Sequence, residues 1–438
     1  MGRSRAWVGA GLVTALAACA GGPQLIEREA EAGASRFEAK ALVALSDVDM
    51  AGTAYANGKL EPLEGAKDAL ALIASETRTG EIVASNSVMA WPGALEVGPG
   101  GAFAYVVETR GPAPGGLERM KAGVFAEMPV GRALGVFDLA DPTAPRLAAS
   151  LDAGREPTAI SVSSDGAYAL VSRRDASKPL GLFRLENGVP AGPPIEIALP
   201  ALPADEKDQG ALFVRFAPDG RSFAVNIANT HVQFGRIEDQ GARLIGEPVP
   251  VGGWLSVLRW TGDGRHVIGA DVGWGPSRLD NVTNGPGALV SVAFDPAGAH
   301  RVASRAEVSL SPEGFELSPD GRLAVAVNME RTYLPDGFPY ALFGRRERAS
   351  LSLVTVDPAT GALRAVDGPV AFDGLLPEDA VFDADGDMVA VAVFHERGGQ
   401  DGFVSYFKVD RGAGGARLIP TGRRTLLARG VHDLAVVP

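Results

Sequence analysis

The segment Pro319-Asp320-Gly321-Arg322-Leu323-Ala324-Val325-Ala326-Val327-Asn328 holds a tight turn ending in glycine and then an apolar strand. Related turns stand at Pro99-Gly100-Gly101, Ser164-Asp165-Gly166, Pro218-Asp219-Gly220, Gly262-Asp263-Gly264 and Ala384-Asp385-Gly386, each flanked by apolar runs. The glycine supplies a backbone angle that residues bearing a Cβ resist, which is why it returns at every copy. Successive turn glycines lie 44 to 65 residues apart. A four-stranded propeller blade takes about 40 to 45 residues, so the shortest repeat is near minimal and the others carry insertions.

Six full repeats leave an unmatched piece at each end. The terminal Val431-His432-Asp433-Leu434-Ala435-Val436-Val437-Pro438 reads as the first strand of a repeat that stops where its turn would begin. Residues 51–56, 69–75 and 81–88 read as the missing three strands. Joining head to tail predicts an all-β fold: a seven-bladed β-propeller of four-stranded antiparallel blades, its ring closed by a blade shared between the termini. The propeller is expected to span 37–438.

The turn segment Pro319 to Asn328 resembles the repeat of YVTN-type and lactonase-like seven-bladed propellers. Leu134 to Leu139, with Asp141-Pro142-Thr143-Ala144-Pro145-Arg146, is similar to another of their segments. The resemblance implies the same architecture and, for the lactonase-like members, hydrolysis at an Arg-His pair near the channel mouth. This chain departs from that pair, offering one histidine with carboxylates.

Met1-Gly2-Arg3-Ser4-Arg5 followed by an apolar run ending at Ala18 has the form of a secretory signal over 1–18. Leu16-Ala17-Ala18-Cys19 resembles the lipobox of bacterial lipoproteins, which implies cleavage before Cys19 and lipidation of its sulfur. Ala20 after that cysteine implies, in the same class, delivery to the outer membrane with the protein facing the periplasm. Residues 19–36 then read as a polar tether. Cys19 is the single cysteine, so no intrachain disulfide forms.

The formal charge is −12, and loss of Arg3 and Arg5 with the signal would make it −14. Such a surface excludes nucleic acid and anionic headgroups as partners, since both need clustered Lys and Arg. The only expected membrane contact is the lipid on Cys19. Metal-, nucleotide- and serine-hydrolase signatures such as HExxH, the P-loop and GxSxG are absent.

In an antiparallel blade the first turn lies at one end and the second-to-third loop at the other. Three such loops are long, at 110–132, 272–287 and 329–348, the last holding Tyr333, Phe338, Tyr340 and Phe343. Their shared face is the expected site for a protein or small polar ligand. Eight residues before each turn glycine, or its equivalent in the last repeat, stand Gly93, Thr158, Leu212, Ser256, Glu313, Glu378 and His432. These positions ring the channel on that face. Glu313, Glu378 and His432 are candidate catalytic residues, and two carboxylates with an imidazole also suit a divalent cation. Glu108, Arg173, Asp271, Asn328, Asp379, His395 and Asp433 are candidate ligand contacts. Two functions therefore compete: binding or scaffolding through the loop face, and lactonase-like hydrolysis. Five residues before the glycines, Arg259 and Glu316 fall on adjacent blades and are expected to pair across the channel wall.

Overall fold

The computed structural model describes residues 22–84, 92–202, 210–239, 241–275, 280–337 and 339–438. The expected signal, Cys19, residues 85–88 and Phe338 lie outside them. Seven antiparallel sheets of four main strands surround a central channel. Blade 1 opens with Leu95–Val97, blade 2 with Pro157–Val162 and blade 3 with Ala211–Phe216. Blades 4, 5 and 6 open with Leu255–Trp260, Pro312–Leu317 and Leu375–Phe382. Blade 7 takes its innermost strand, Val431–Val437, from the tail and the rest, Ala41–Ser46, Ala69–Ala74 and Thr77–Val83, from the head. Tail and head pair antiparallel, with Ala44 opposite Leu434.

The repeated turn is more than its glycine. In three copies a hydroxyl two residues before the aspartate donates to it, from Ser163 to Asp165 at 2.6 Å, Thr261 to Asp263 at 2.7 Å and Ser318 to Asp320 at 2.5 Å. The same carboxylate oxygen accepts the amide two residues on, and the hydroxyl accepts the amide that starts the next strand. Six turn glycines hold φ between 66° and 74°.

Strands near the axis are covered on both faces by neighbouring blades, so Leu323–Asn328 and Met388–His395 read as unbroken apolar runs and are buried throughout. Outermost strands such as Arg146–Asp152 alternate toward solvent.

Two expectations at the head change. The second strand of blade 7 is Ala41–Ser46, not 51–56; the latter residues hold Gly52, Thr53 and a short helix, Ala54–Asn57. Residues 47–68 are consequently a fourth long insertion on the loop face. Residues 22–36, expected to be a tether, lie along the outer edge. Ile26 exchanges backbone hydrogen bonds with Pro369 and Ala371 of blade 5. Arg28 pairs with Asp367 at 2.5 Å, and Glu31 with Lys408 of blade 6 at 2.8 Å. An outermost strand leaves one row of amides and carbonyls unpaired, and this segment uses them.

Candidate functional site

The positions expected to ring the channel form a collar of hydrogen bonds between successive blades. Thr158 Oγ1 donates to the Ala211 carbonyl at 3.1 Å, and Asn226 Nδ2 to the Ser256 carbonyl at 2.8 Å. Ser256 Oγ donates to the Glu313 carbonyl. The Leu434 amide donates to Asp379 at 3.1 Å, and Asp433 accepts the amides of Gly93 and Leu95 at 2.7 and 2.8 Å. At the join of blades 5 and 6, Gly314 lies so close to the Glu378 carbonyl that a Cβ would stand 2.0 Å from it. The collar uses the side chains of Asp379 and Asp433, but only the backbone of Glu313.

Lower in the channel Arg259 pairs with Glu316 at 2.7 Å, as the spacing predicted, and lies 3.8 Å from Asp379. Burial opposes its charge, but Glu316, Asp379 and Asp433 outweigh that and hold it above its usual range. Arg215 pairs with Glu96 across the wall. Glu96, Arg215, Arg259, Glu316 and Asp433 line a cavity of about 250 Å³.

Glu313, Glu378, Tyr55 and Asp47 form a single electrostatic cluster at the mouth. Burial alone pushes Glu313 up to about 8. Burial, then the negative charges of Glu313, Asp47, Asp433 and Asp379, raise Glu378 well above the carboxylate range. Burial and then Glu378, Asp47 and Glu313 raise the Tyr55 phenol. Tyr55 as a whole residue is 38% exposed, though its phenol is buried, and the glutamates are 8% and 4% exposed. Glu313 is thus protonated at neutral pH and able to donate a hydrogen bond, and Glu378 is pushed in the same direction.

Tyr55 arrives on the fourth insertion, which is packed into a cap. Met50, Ala54 and Leu60 bury against Met120, Val124 and Met128 of the blade 1 insertion. Ala56 packs in a second cluster with Val272 and Trp274 of blade 4, Met329, Tyr333 and Leu334 of blade 5, and Leu376 and Phe394 of blade 6. The Gly52 amide donates to His395 Nε2 at 3.1 Å, which fastens the insertion to blade 6.

The expected site residues therefore divide. Glu313 and Glu378 come together. His432 is 1% exposed, and burial pushes its imidazole down to about 3, so it is neutral and a weak base. Arg173 is wholly buried, binding the Ala153 and Lys178 carbonyls and Glu196. Asp271 accepts the amides of Trp254 and Gly273 and pairs with Arg305. Asn328 donates to Ser350 and Ser352, and Glu108 accepts the Arg132 amide. These four, with His395, hold insertions and strands in place.

Among the described residues, the group of three acidic or histidine side chains close enough to share a cation is Asp47, Asp49 and Asp68, rather than Glu313, Glu378 and His432. Tyr55 and these aspartates were not anticipated. The available signal was the Asp-Val-Asp at 47–49, directly after an apolar run, matched by Asp68 directly before the next.

No protein-family profile matches the sequence, and no curated protein matches it. Solved structures do resemble the fold. A periplasmic gluconolactonase from Pseudomonas aeruginosa superposes with a TM-score of 0.60 at 17% identity, over 91% of this chain and 99% of that one. A functionally unknown protein from Desulfotomaculum acetoxidans gives 0.57 at 10%, over 92% and 99%. At these identities the likeness establishes the propeller and nothing of its chemistry. No helix among the described residues is long and apolar enough to cross a membrane.

Proposed function

We propose that the protein is a binding propeller that holds a small polar ligand at the capped end of its channel and does not hydrolyse it. Glu313, Glu378 and Tyr55 would donate hydrogen bonds to acceptor oxygens of the ligand. The observation that carries this reading is that the expected base is out of reach: His432 titrates near 3 and is 1% exposed, which leaves the buried acid Glu313, titrating near 8, as a hydrogen-bond donor. A general base works best with a pKa near the operating pH.

Lactone hydrolysis is the second reading, favoured by one feature. A carboxylic acid still protonated at neutral pH can polarise a carbonyl, and the Pseudomonas neighbour is a gluconolactonase. Titration calorimetry and NMR on the Cys19→Ser chain with sugar and aliphatic lactones, and their open acids, separate the two. Saturable binding without turnover, weakened by Glu378→Leu, is expected. Turnover that disappears in Glu313→Gln would establish the hydrolase instead.

For the cellular address, the lipobox-like Leu16-Ala17-Ala18-Cys19 and the net charge of −12 support a lipid-anchored protein on the periplasmic side of the outer membrane. Its loop face would meet a protein or small-molecule partner, not nucleic acid.

A further inference from the structure

Residues 47–68 leave blade 7 and return to it at one point: Ser46 and Ala69 are paired across adjacent strands, and Asp47 and Asp68 flank that pair. Asp49 is one residue further into the insertion. The three carboxylates present ligand oxygens that all lie within 4.8 Å of one another. Like charges facing each other at the neck of a hairpin are destabilising unless something compensates them.

Compensation from the protein is incomplete. One oxygen of each carboxylate accepts a backbone amide: Asp47 from Asp49 at 3.0 Å, Asp49 from Ala113 at 3.2 Å, and Asp68 from Val48 at 3.1 Å. The second oxygens of Asp47 and Asp49 are buried and accept no hydrogen bond. Asp47 is 1% exposed, so water does not reach that oxygen from the surface. A buried carboxylate oxygen without a donor is rarely left so in a folded protein. Arg429, also buried, supplies the facing positive charge, but its guanidinium donates to the carbonyls of Val48 and Glu61. Three carboxylates thus face one guanidinium.

We infer that Asp47, Asp49 and Asp68 bind a divalent cation of calcium size, which staples the neck of the insertion carrying Tyr55. An all-carboxylate set with no imidazole or thiolate selects a hard cation. Calcium accepts oxygen ligands at about 2.3–2.6 Å in flexible geometry, which suits three carboxylates on a loop neck, whereas magnesium demands near-ideal octahedral geometry at about 2.1 Å. The ion takes up the second oxygens of Asp47 and Asp49. Asp47 is shared with the Glu313 and Glu378 cluster, but Asp49 and Asp68 belong to the neck alone, so their variants test the ion without touching the ligand reading.

The test is calcium chloride titrated calorimetrically into the chelator-treated Cys19→Ser chain, with thermal melts run in chelator and in calcium. Saturable binding of one ion and a higher melting temperature in calcium are expected, with magnesium binding more weakly. Asp49→Asn and Asp68→Asn should each weaken calcium roughly tenfold or more, since affinity follows the number of charged ligands, while Glu378→Leu leaves it unchanged. No saturable heat, with melts identical in calcium and chelator, overturns the site without needing any variant. Calcium binding that survives both aspartate changes, or is lost in Glu378→Leu, also overturns it by locating the ion elsewhere. The Glu378→Leu result separates this failure from failure of the ligand reading.

Discussion

Replacing Glu313 by Gln should stabilise the protein at alkaline pH and leave it unchanged in mild acid. Glu313 titrates near 8 in the folded chain against a reference of 4.5. A group whose folded pKa is raised binds more protons folded than unfolded, so it draws stability down as pH rises from 4.5 through 8. At about 1.36 kcal/mol per pH unit, and allowing for half-titration at each limit, the loss reaches about 4 kcal/mol by pH 8. Glutamine has the shape and hydrogen-bonding capacity of the protonated acid but no titration. Its substitution leaves the backbone carbonyl that accepts from Ser256 in place. With an unfolding entropy of about 2.1 cal/mol/K per residue over 438 residues, 4 kcal/mol corresponds to a rise of about 4 °C in melting temperature. Urea or thermal unfolding of both chains from pH 5 to 8.5 measures it. Asp379 and Asp433 titrate in both proteins, while Glu378 loses the part of its upward shift that comes from Glu313, so the difference curve reports Glu313 together with its coupling to Glu378. A flat difference curve, or a variant less stable at pH 8, would refute a buried protonated acid at this position.

Arg259→Met should cost about 3 kcal/mol in urea unfolding at pH 8, because it strands Glu316, Asp379 and Asp433. The cost should shrink toward pH 5, as Asp433, which titrates near 6, takes up its proton. Gly430→Ala should destabilise by on the order of 3 kcal/mol or more, since φ is 87° and a Cβ would sit 1.6 Å from the Asp47 carbonyl; an unchanged urea midpoint would contradict that packing. Cys19→Ser should move the protein from the membrane fraction to the soluble fraction, and retention in the membrane would exclude the lipid anchor.

The blade count was legible because each turn is a local device. A hydroxyl, an aspartate and a glycine at fixed spacing complete their own hydrogen bonds, so Ser318, Asp320 and Gly321 announce a hairpin without reference to the rest of the chain. Counting back from those glycines located the collar and the Arg259–Glu316 pair, since strands in register carry position faithfully. Side-chain partners were not legible in this way. Arg173, Asp271 and Asn328 stand at strand ends where ligand contacts occur, but their bonds run to Glu196, Arg305 and Ser350. Only the packing of blade on blade decides that.

The head of the chain was harder, because the second strand of blade 7 has no turn before it: its first strand comes from the other end of the molecule. Without that marker, the alanine-bearing 51–56 reads as a strand although Ala41–Ser46 is the more apolar run, and that reading conceals an insertion. The concealed segment is the one that brings Asp47 and Tyr55 to Glu313 and Glu378. It is also the one that meets the tail, where the Asp47 amide donates to the Gly430 carbonyl and Arg429 holds the Val48 carbonyl. Closure of the ring and assembly of the acid cluster therefore share residues. Anything bound at the mouth that prefers the assembled cluster must also hold head to tail, by the mass action that stabilises any folded state through its ligand.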